Sequence, residues 1–257
     1  MKITFLGTGS IVPTKKRSYS GLLIDVGDKL LFDCGPAVLE KLTRIDQSIS
    51  DIKHIFITHY HLDHISDMFP FIMSRAFDPV TGRASKTKEL NIYGPDGLEN
   101  LIKSIFSIEK FKETEKDLKL LNCLKLKEVR KGLVEKREWS VSCAPTEHFD
   151  SIAYRIGSNE KSVVYSGDTT PCDSVIELAK DCDILIHECS YPDEYLVGLH
   201  TSPSQISEIA KKAGAKKVIL NHLYPICEGK EEDMIKKIKE KFDGEVLVAE
   251  DFMVVEL

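Results

Sequence analysis

The stretch His59-Tyr60-His61-Leu62-Asp63-His64 places three imidazoles and a carboxylate within one hexapeptide, directly after the apolar segment Ile55-Phe56-Ile57. Imidazole nitrogens and carboxylate oxygens are ligands that zinc and its neighbouring transition metals accept. Four such groups crowded together would repel one another or stay poorly solvated without a cation between them. The whole chain contains only 8 histidines, so three in one hexapeptide indicate a metal-binding cluster rather than an exposed polar loop.

The size and charge of the chain favour one large α/β domain. Its 257 residues, 42% of them hydrophobic, can fill a sizeable two-layer core. The formal net charge of -6 and the isoelectric point near 5.8 give no global attraction to nucleic acid or to an anionic membrane. We therefore expect no membrane partner and no stable nucleic-acid partner, and a nucleic-acid substrate would need a specific site.

The cysteines and the N-terminal residues indicate a cellular compartment. The 7 cysteines are scattered and form no Cys-x-x-Cys pair, which favours reduced thiols over a disulfide framework or a thiolate zinc site. The segment Met1–Gly7 has no apolar core long enough for a signal peptide, and no apolar run approaches the roughly 18 residues of a membrane span. We expect a cytoplasmic protein.

Several predicted strands end in polar residues. Helix-like segments at 174–180 and 203–212 alternate with the later strands. The polar strand ends are His59, Gly167-Asp168, His187-Glu188 and Asn221-His222. Binding sites of open α/β sheets collect at the carboxyl ends of the strands, so these residues are expected to converge although they are distant in sequence.

The stretch from about 98 to 138 is rich in lysine and glutamate. Its leucines at 118, 121, 124 and 126 have helical spacing. We predict a charged, helical segment at the periphery of a single domain formed by residues 1–257, with most of this charge on a solvated face.

The pattern His-x-His-x-Asp-His after a strand resembles the signature of the metallo-β-lactamase superfamily, and the resemblance covers most of the chain. The other matching segments, in the order of the family, are Phe5-Leu6-Gly7-Thr8-Gly9, Asp33-Cys34-Gly35, His148, Ser166-Gly167-Asp168-Thr169 and His222. The resemblance implies an α/β fold, a four-layer αββα sandwich of two mixed β-sheets flanked by helices.

The resemblance also implies two divalent metal ions, zinc by preference, with manganese or iron as alternatives. Their ligands would be His59, His61 and His148 for the first ion and Asp63, His64 and His222 for the second, with Asp168 bridging. Ions held roughly 3.5–4 Å apart lower the pKa of a shared water toward about 7, so a bridging hydroxide exists at neutral pH. Asp63 would also accept a proton from that water.

Some of these residues have a simpler explanation when they are taken alone. Asp168 would then be the N-cap of a helix, and His148 and His222 would be ordinary half-buried histidines. Two further histidines are assigned to no metal: we expect His54 at the surface, and His187 to pack or hydrogen-bond at the end of its strand.

The chain resembles the ribonuclease Z branch of the superfamily more closely than the lactamases. The segments that carry this resemblance are Pro13-Thr14 with Arg17 and Ser20, Tyr154-Arg155-Ile156 after His148, His187-Glu188, and His200-Thr201-Ser202, which lies 22 residues before the last ligand. The resemblance implies that His200 is a catalytic residue that stabilises charge on the phosphorane or protonates the leaving oxygen. Glu188 would then orient His200.

Two features in this region have alternative interpretations. His200 could serve only to cap the following helix together with Thr201 and Ser202. The basic cluster Lys15-Lys16-Arg17 either binds a substrate phosphate or is plain surface.

The short interval between His148 and Asp168 limits the substrate. Only 19 residues lie between them, too few for the long arm with which tRNA-processing members of the branch grip tRNA. The sequence therefore favours a zinc-dependent phosphodiesterase acting on a small or cyclic nucleotide-type substrate or on short RNA. The alternatives are a ribonuclease Z-type tRNA 3′-processing endonuclease, a lactonase or β-lactamase-type hydrolase, and a non-enzymatic metal-binding protein. Relatives commonly form homodimers, so the resemblance also implies a homodimer.

Overall fold

The computed structural model describes residues 1–85 and 88–257, which form two seven-stranded sheets packed face to face. In chain order the strands are β1 (Lys2–Gly7), β2 (Gly21–Asp25), β3 (Lys29–Phe32), β4 (Ile52–Phe56), β5 (Leu90–Gly94), β6 (Leu124–Glu128), β7 (Gly132–Lys136), β8 (Trp139–Pro145), β9 (Ile152–Ser158), β10 (Lys161–Tyr165), β11 (Ile184–Glu188), β12 (Lys217–Asn221), β13 (Glu245–Val248) and β14 (Val254–Glu256). The first sheet has the order β14-β1-β2-β3-β4-β5-β6, and the second has the order β13-β12-β11-β10-β9-β8-β7.

Helices cover the outer faces of both sheets. They are α1 (Val38–Arg44), α2 (Leu62–Ile65), α3 (Met68–Ser74), α4 (Leu98–Ser107), α5 (Glu109–Leu118), α6 (Asp173–Leu178), α7 (Pro203–Ala213) and α8 (Glu231–Lys239). Short 3-10 helices lie at Ile49–Asp51, Leu120–Cys123, Asp193–Tyr195 and Pro225–Cys227. Within the described ranges, none of the helices has both the length and the apolar character needed to cross a lipid bilayer.

Each sheet is antiparallel in one half and parallel in the other. The strands from β14 to β3 pair antiparallel and those from β3 to β6 pair parallel. In the second sheet, β7 to β10 pair antiparallel and β10 to β13 pair parallel. The predicted sandwich of two mixed sheets flanked by helices is confirmed.

Alternation along the central strands separates three apolar layers. In β11, Ile184 and Ile186 pack into the layer between the sheets, whereas Leu185 packs into the layer beneath α7 and α8. Side chains alternate between the two faces of a strand, so Glu188, two residues after Ile186, continues the row that points between the sheets. This register brings a carboxylate to the rim of the sandwich.

The charged segment 98–138 differs from its prediction in its second half. The helices end at Leu118, where Lys119 takes a left-handed backbone conformation with φ 51°. Residues Leu124–Glu128 then pair in parallel with β5, and Gly132–Lys136 cross to the second sheet. The four leucines pack against the outer apolar layer of the first sheet, but the later two do so from a strand, because the edge of β5 offers backbone partners that periodicity alone does not indicate.

His54 was predicted at the surface, and this prediction was wrong. The residue lies inside β4 and is only 1% exposed. Its ring packs edge-on against Trp139, with centroids 5.1 Å apart, and stacks on Tyr93 at 6.1 Å. His54 shares the face of Phe56, two residues later, which points between the sheets.

The turn after β3 packs against the backbone of the hexapeptide His59–His64. Cys34 N donates a hydrogen bond to His64 O (2.6 Å), and Gly35 N donates to Ser20 O (3.0 Å). A Cβ at Gly35 would lie 2.0 Å from Asp63 O and 2.8 Å from Ser20 O. This close backbone contact therefore requires glycine at position 35. It sets how closely the Asp63-His64 segment packs on the turn after β3.

We expect Gly35→Ala to lower the free energy of unfolding by about 1–3 kcal/mol, because the added methyl must displace backbone atoms. Gly27→Ala is the matched control: its added Cβ meets no described atom within 4 Å, and its φ of 97° alone should cost about 1–2 kcal/mol. Urea unfolding measures both variants. A Gly35→Ala protein more stable than Gly27→Ala would contradict this role.

Candidate metal centre

Two groups of metal-ligand donors meet in the loops that follow strands of both sheets. The structure brings together His59, His61, His148 and Asp168 in one group and Asp63, His64 and His222 in the other. In each group, one ligand atom from every residue lies within 4.8 Å of the others. These are the two ligand sets that the family resemblance implies.

Asp168 lies between the two groups. Its Oδ2 atom is 3.8 Å from His59 Nε2 and 3.4 Å from His222 Nε2, and its Oδ1 atom is 3.5 Å from His64 Nε2. Asp63 Oδ2 approaches His222 Nε2 at 3.3 Å. Asp168 therefore has the position that a bridging carboxylate requires.

The donor atoms fit a pair of divalent cations. His59 Nε2 and Asp168 Oδ1 are buried and have no hydrogen-bond partner among the described residues, and the same is true of His148 Nδ1. Buried polar atoms are seldom left unpaired, so such an atom needs an explanation. The Nε2 atoms of His64 and His222 face each other at 3.3 Å. Cations between these groups would satisfy the lone pairs directed at the centre.

The electrostatics of the cluster favour neutral imidazole at one position and a cation at another. Burial, followed by the charges of the surrounding histidines, holds the pKa of His59 well below its ordinary value, so its lone pair is available to a metal. Burial alone would lower the pKa of His64, but the carboxylates of Asp33 and Asp168 raise it to about 10. The charge that these carboxylates favour on His64 can be supplied by a metal ion in place of a proton.

Asp33 orients His64 from beneath the centre. Its buried carboxylate accepts hydrogen bonds from His64 Nδ1 (2.7 Å), from Thr58 N (2.8 Å) and from the Tyr165 hydroxyl (2.9 Å). The proton of His64 is thereby placed on Nδ1, which leaves Nε2 free to face the centre. Sequence reasoning found Asp33 as part of a family match but assigned it no role; its position directly after β3 was the available signal.

His200 and Glu188 form a hydrogen-bonded pair at the edge of the centre. His200 Nδ1 lies 3.0 Å from Glu188 Oε1, and Glu188 is fully buried. Burial would lower the pKa of His200, but the hydrogen bond to Glu188 and its charge raise it. His200 also offers a ligand-type atom within 4.8 Å of those of Asp168 and His222, so its ring faces the metal ligands.

The cap of α7 is formed by other residues than His200. Ser202 N donates to Gln205 Oε1 (3.0 Å) in a capping box, and Pro203 occupies the first turn. The ring of His200 is directed to Glu188 instead. The helix-capping explanation therefore does not account for the position of this histidine.

Two of the remaining sequence candidates, Arg17 and His187, pack within the fold. Arg17 is 5% exposed, donates to Thr8 Oγ1 (3.1 Å) and to Ala249 O, and forms an ion pair with Glu231. Its charge is used inside the protein, so the basic cluster does not act as one phosphate site. His187 is buried and donates from Nδ1 to Glu188 O (2.8 Å), as predicted for this strand end.

The comparisons with known proteins agree with this architecture. The chain matches, over residues 1–241, the family model described as Anti-Pycsar protein Apyc1. A protein named ribonuclease Z from Mycolicibacterium gilvum is 30% identical, with 98% of this chain and 94% of that protein aligned. A protein of the same name from Methanosarcina acetivorans is 28% identical, with 100% and 98% aligned.

A solved structure gives the same result. The metallo-β-lactamase fold protein YhfI from Bacillus subtilis superposes with a TM-score of 0.82 at 28% identity, covering 100% of this chain and 99% of that chain. Because its relatives are named ribonuclease Z, the chain is a hydrolase of the metallo-β-lactamase fold. It therefore belongs to the family of Anti-Pycsar protein Apyc1, in the ribonuclease Z-like branch of the metallo-β-lactamase superfamily.

Proposed function

We propose that this protein is a phosphodiesterase that uses two divalent metal ions, zinc by preference, on a small or cyclic nucleotide-type substrate or short RNA. One observation carries the proposal: Asp168 lies against both ligand groups, and a histidine held by a buried carboxylate stands at their edge. A phosphodiester needs a proton donor for its leaving oxygen, and His200 is positioned to supply one.

Each side chain has a separate task in this reaction. His59, His61 and His148 would hold one ion, Asp63, His64 and His222 the other, and Asp168 would contact both. When bound, the ions would supply Lewis acidity and lower the pKa of water toward about 7. Asp63 accepts a proton from the attacking water. His200 donates a proton to the leaving oxygen as its bond to phosphorus breaks, and Glu188 holds the ring in place through Nδ1.

The hairpin of β9 and β10 supports a small substrate. It occupies most of the interval between His148 and Asp168, and its strands pair up to Lys161 and Ser158, with only Asn159-Glu160 in the turn. This interval therefore contributes two paired strands and no projecting arm. This arrangement suits a substrate that makes all of its contacts close to the metal centre.

The names of the relatives favour a second candidate, a ribonuclease Z-type endonuclease that processes tRNA 3′ ends. The alignment with the Methanosarcina acetivorans protein extends over 317 positions, 60 more than the 257 residues of this chain. The Mycolicibacterium gilvum alignment extends over 272 positions and covers 98% of this chain, about 252 residues, so only about 20 of its positions have no residue of this chain. Proteins named ribonuclease Z thus include one that has few residues inserted relative to this chain. Activity assays must therefore separate a small-substrate phosphodiesterase from a tRNA-processing endonuclease.

An exposed aromatic ring beside the metal ligands supports a substrate that carries a planar base. Phe149 is 72% exposed, and its ring centroid lies 5.5 Å from that of His61 and 5.0 Å from that of His148. Its φ of 30° is unusual for a bulky residue, so the surrounding turn holds it in a strained conformation. Stacking of a base on this ring would place a neighbouring phosphate near the centre.

The metal-loaded protein is expected to hydrolyse 3′,5′-cyclic nucleotides, and removal of the metal with a chelator should abolish this activity until zinc or manganese is restored. The measurement is a side-by-side assay with cyclic nucleotides, a tRNA precursor and lactones. Faster cleavage of the tRNA precursor would select the ribonuclease Z alternative, and faster lactone opening would select carboxyl-ester chemistry. Two bound metals without any turnover would select a non-enzymatic metal-binding role.

His200→Ala is expected to lower kcat about 10²- to 10⁴-fold, because the leaving oxygen loses its proton donor. Both metals should remain, which elemental analysis of the purified variant measures. Asp168→Ala is the contrasting variant and should lose metal, because it removes the carboxylate that lies against both groups. Full turnover in His200→Ala would refute the assigned role.

Phe149→Ala is expected to raise KM for a 3′,5′-cyclic nucleotide about 5- to 100-fold, the range that base stacking on an aromatic ring supplies. KM for the cyclic phosphate of a ribose without a base should not change. Phe111→Ala, which removes a 46% exposed ring on α5, is the matched control. An equal effect on both substrates would exclude stacking.

A homodimer and a cytoplasmic location, expected from the sequence, remain predictions.

A further inference from the structure

Ser190 joins three groups of the centre through one buried oxygen. The residue lies two positions after the end of β11 and has no solvent exposure. Its Oγ is 2.7 Å from Glu188 Oε2, 3.1 Å from His222 Nδ1 and 3.2 Å from His200 Nδ1. The proposed reaction assigns no task to this hydroxyl.

The available protons decide the direction of these hydrogen bonds. A serine hydroxyl has one proton, and an ionised carboxylate only accepts, so Ser190 donates to Glu188. Its oxygen can then accept from the Nδ1–H of His222. With Nδ1 protonated, His222 directs the lone pair of Nε2 toward Asp63 Oδ2 (3.3 Å) and Asp168 Oδ2 (3.4 Å). The metal-binding nitrogen of His222 is thereby defined.

Glu188 connects this serine to the rest of the centre. Its Oε1 accepts from His200 Nδ1 (3.0 Å) and from Thr169 N (3.0 Å), directly after Asp168, while its Oε2 accepts from the Ser190 hydroxyl. Burial would raise the pKa of Glu188, but the hydrogen bond from His200 lowers it, so the group stays ionised. One carboxylate thus organises the His200 ring and, through Ser190, the His222 ring.

The backbone places His222 at a bend beside the loop that carries Ser190. The residue has φ 56°, in the left-handed region, at the point where the chain leaves β12. The adjoining loops are paired, since Cys189 N donates to Asn221 O (2.8 Å) and Tyr224 N donates to Ser190 O (3.3 Å). Ser190 therefore lies on the segment that runs beside His222, and its side chain reaches the ring from there.

We propose that Ser190 is a positioning residue: it fixes His222 in the Nδ1–H tautomer for metal binding and couples that ligand, through Glu188, to the orientation of His200. The catalytic part of this inference rests on the proposed function, whereas the metal-binding part does not. Supporting hydrogen bonds of this kind commonly change metal affinity or activity by about 10- to 100-fold when they are removed.

The first test measures metal binding without turnover. Ser190→Ala is expected to bind zinc about 10- to 100-fold more weakly at one of two sites in competition with a chelator, and to change the visible absorption spectrum of the cobalt-loaded protein. Ser190→Thr keeps the hydroxyl and should restore both readouts. Ser207→Ala is the matched control, since Ser207 is also buried but donates to Ile238 O in the helical layer.

The second test separates coupling from a general loss of structure. At zinc concentrations that fill both sites, Ser190→Ala should lower kcat about 10- to 100-fold with His200 present, but much less in a His200→Ala background, because the ring to be positioned is then gone. If Ser190→Ala does not fold, Ser190→Cys carries both tests, since a thiol is a weak acceptor.

The outcomes distinguish the two proposals. Unchanged zinc affinity and cobalt spectrum in a folded Ser190→Ala protein would overturn the role of Ser190, whatever the enzyme hydrolyses. A loss of zinc affinity in a protein without phosphodiesterase activity would instead refute the proposed function and keep the tautomer assignment. Equal kcat losses with and without His200 would overturn the coupling.

Discussion

The buried carboxylate of Asp33 ties the two sheets together directly beneath the metal ligands. It follows β3 in the first sheet, yet it accepts the hydroxyl of Tyr165, which ends β10 in the second sheet, and the Nδ1–H of His64. A carboxylate is costly to bury unless it is hydrogen-bonded, so these contacts hold one another in place. The orientation of the His64 ring, and with it the direction of its Nε2 atom in the second ligand group, depends on this carboxylate.

The parallel halves of the sheets explain how distant residues converge. His59 follows β4, Asp168 follows β10, Glu188 ends β11 and His222 follows β12. The first of these strands belongs to one sheet and the other three to its partner, so the centre lies across the seam of the sandwich. A site at this seam is sensitive to how the sheets pack, because the second ligand group combines Asp63 and His64, which follow a strand of the first sheet, with His222, which follows a strand of the second.

The sequence predicted the sandwich because the hexapeptide and its distant partners have residue types and an order that identify the chemistry. It did not predict the face of His54, because a polar ring on an inward-facing strand position is favoured only by its aromatic neighbours. Leu121 and Leu124 continue the helical spacing of Leu118, but Leu124 and Leu126 are two residues apart, as on one face of a strand, and pairing with the edge of β5 decides their conformation. Arg17 resembled part of a surface patch in the sequence, but it is buried and donates to Ala249 O, an acceptor far along the chain. Each of these errors concerns a long-range contact.

The short turn Asn159-Glu160 lies at the end of the β9–β10 hairpin that is remote from the metal ligands, so its length can change without affecting them. Both residues have positive φ angles, 51° and 60°, and close a hairpin whose other end leads to His148 and Asp168. The entropy of closing a loop rises only slowly with its length, so extra residues could be accommodated here at little cost to folding. A chain lengthened at this turn would gain a new gripping element while every metal ligand kept its place, and the choice of substrate could then diverge without any change in the reaction.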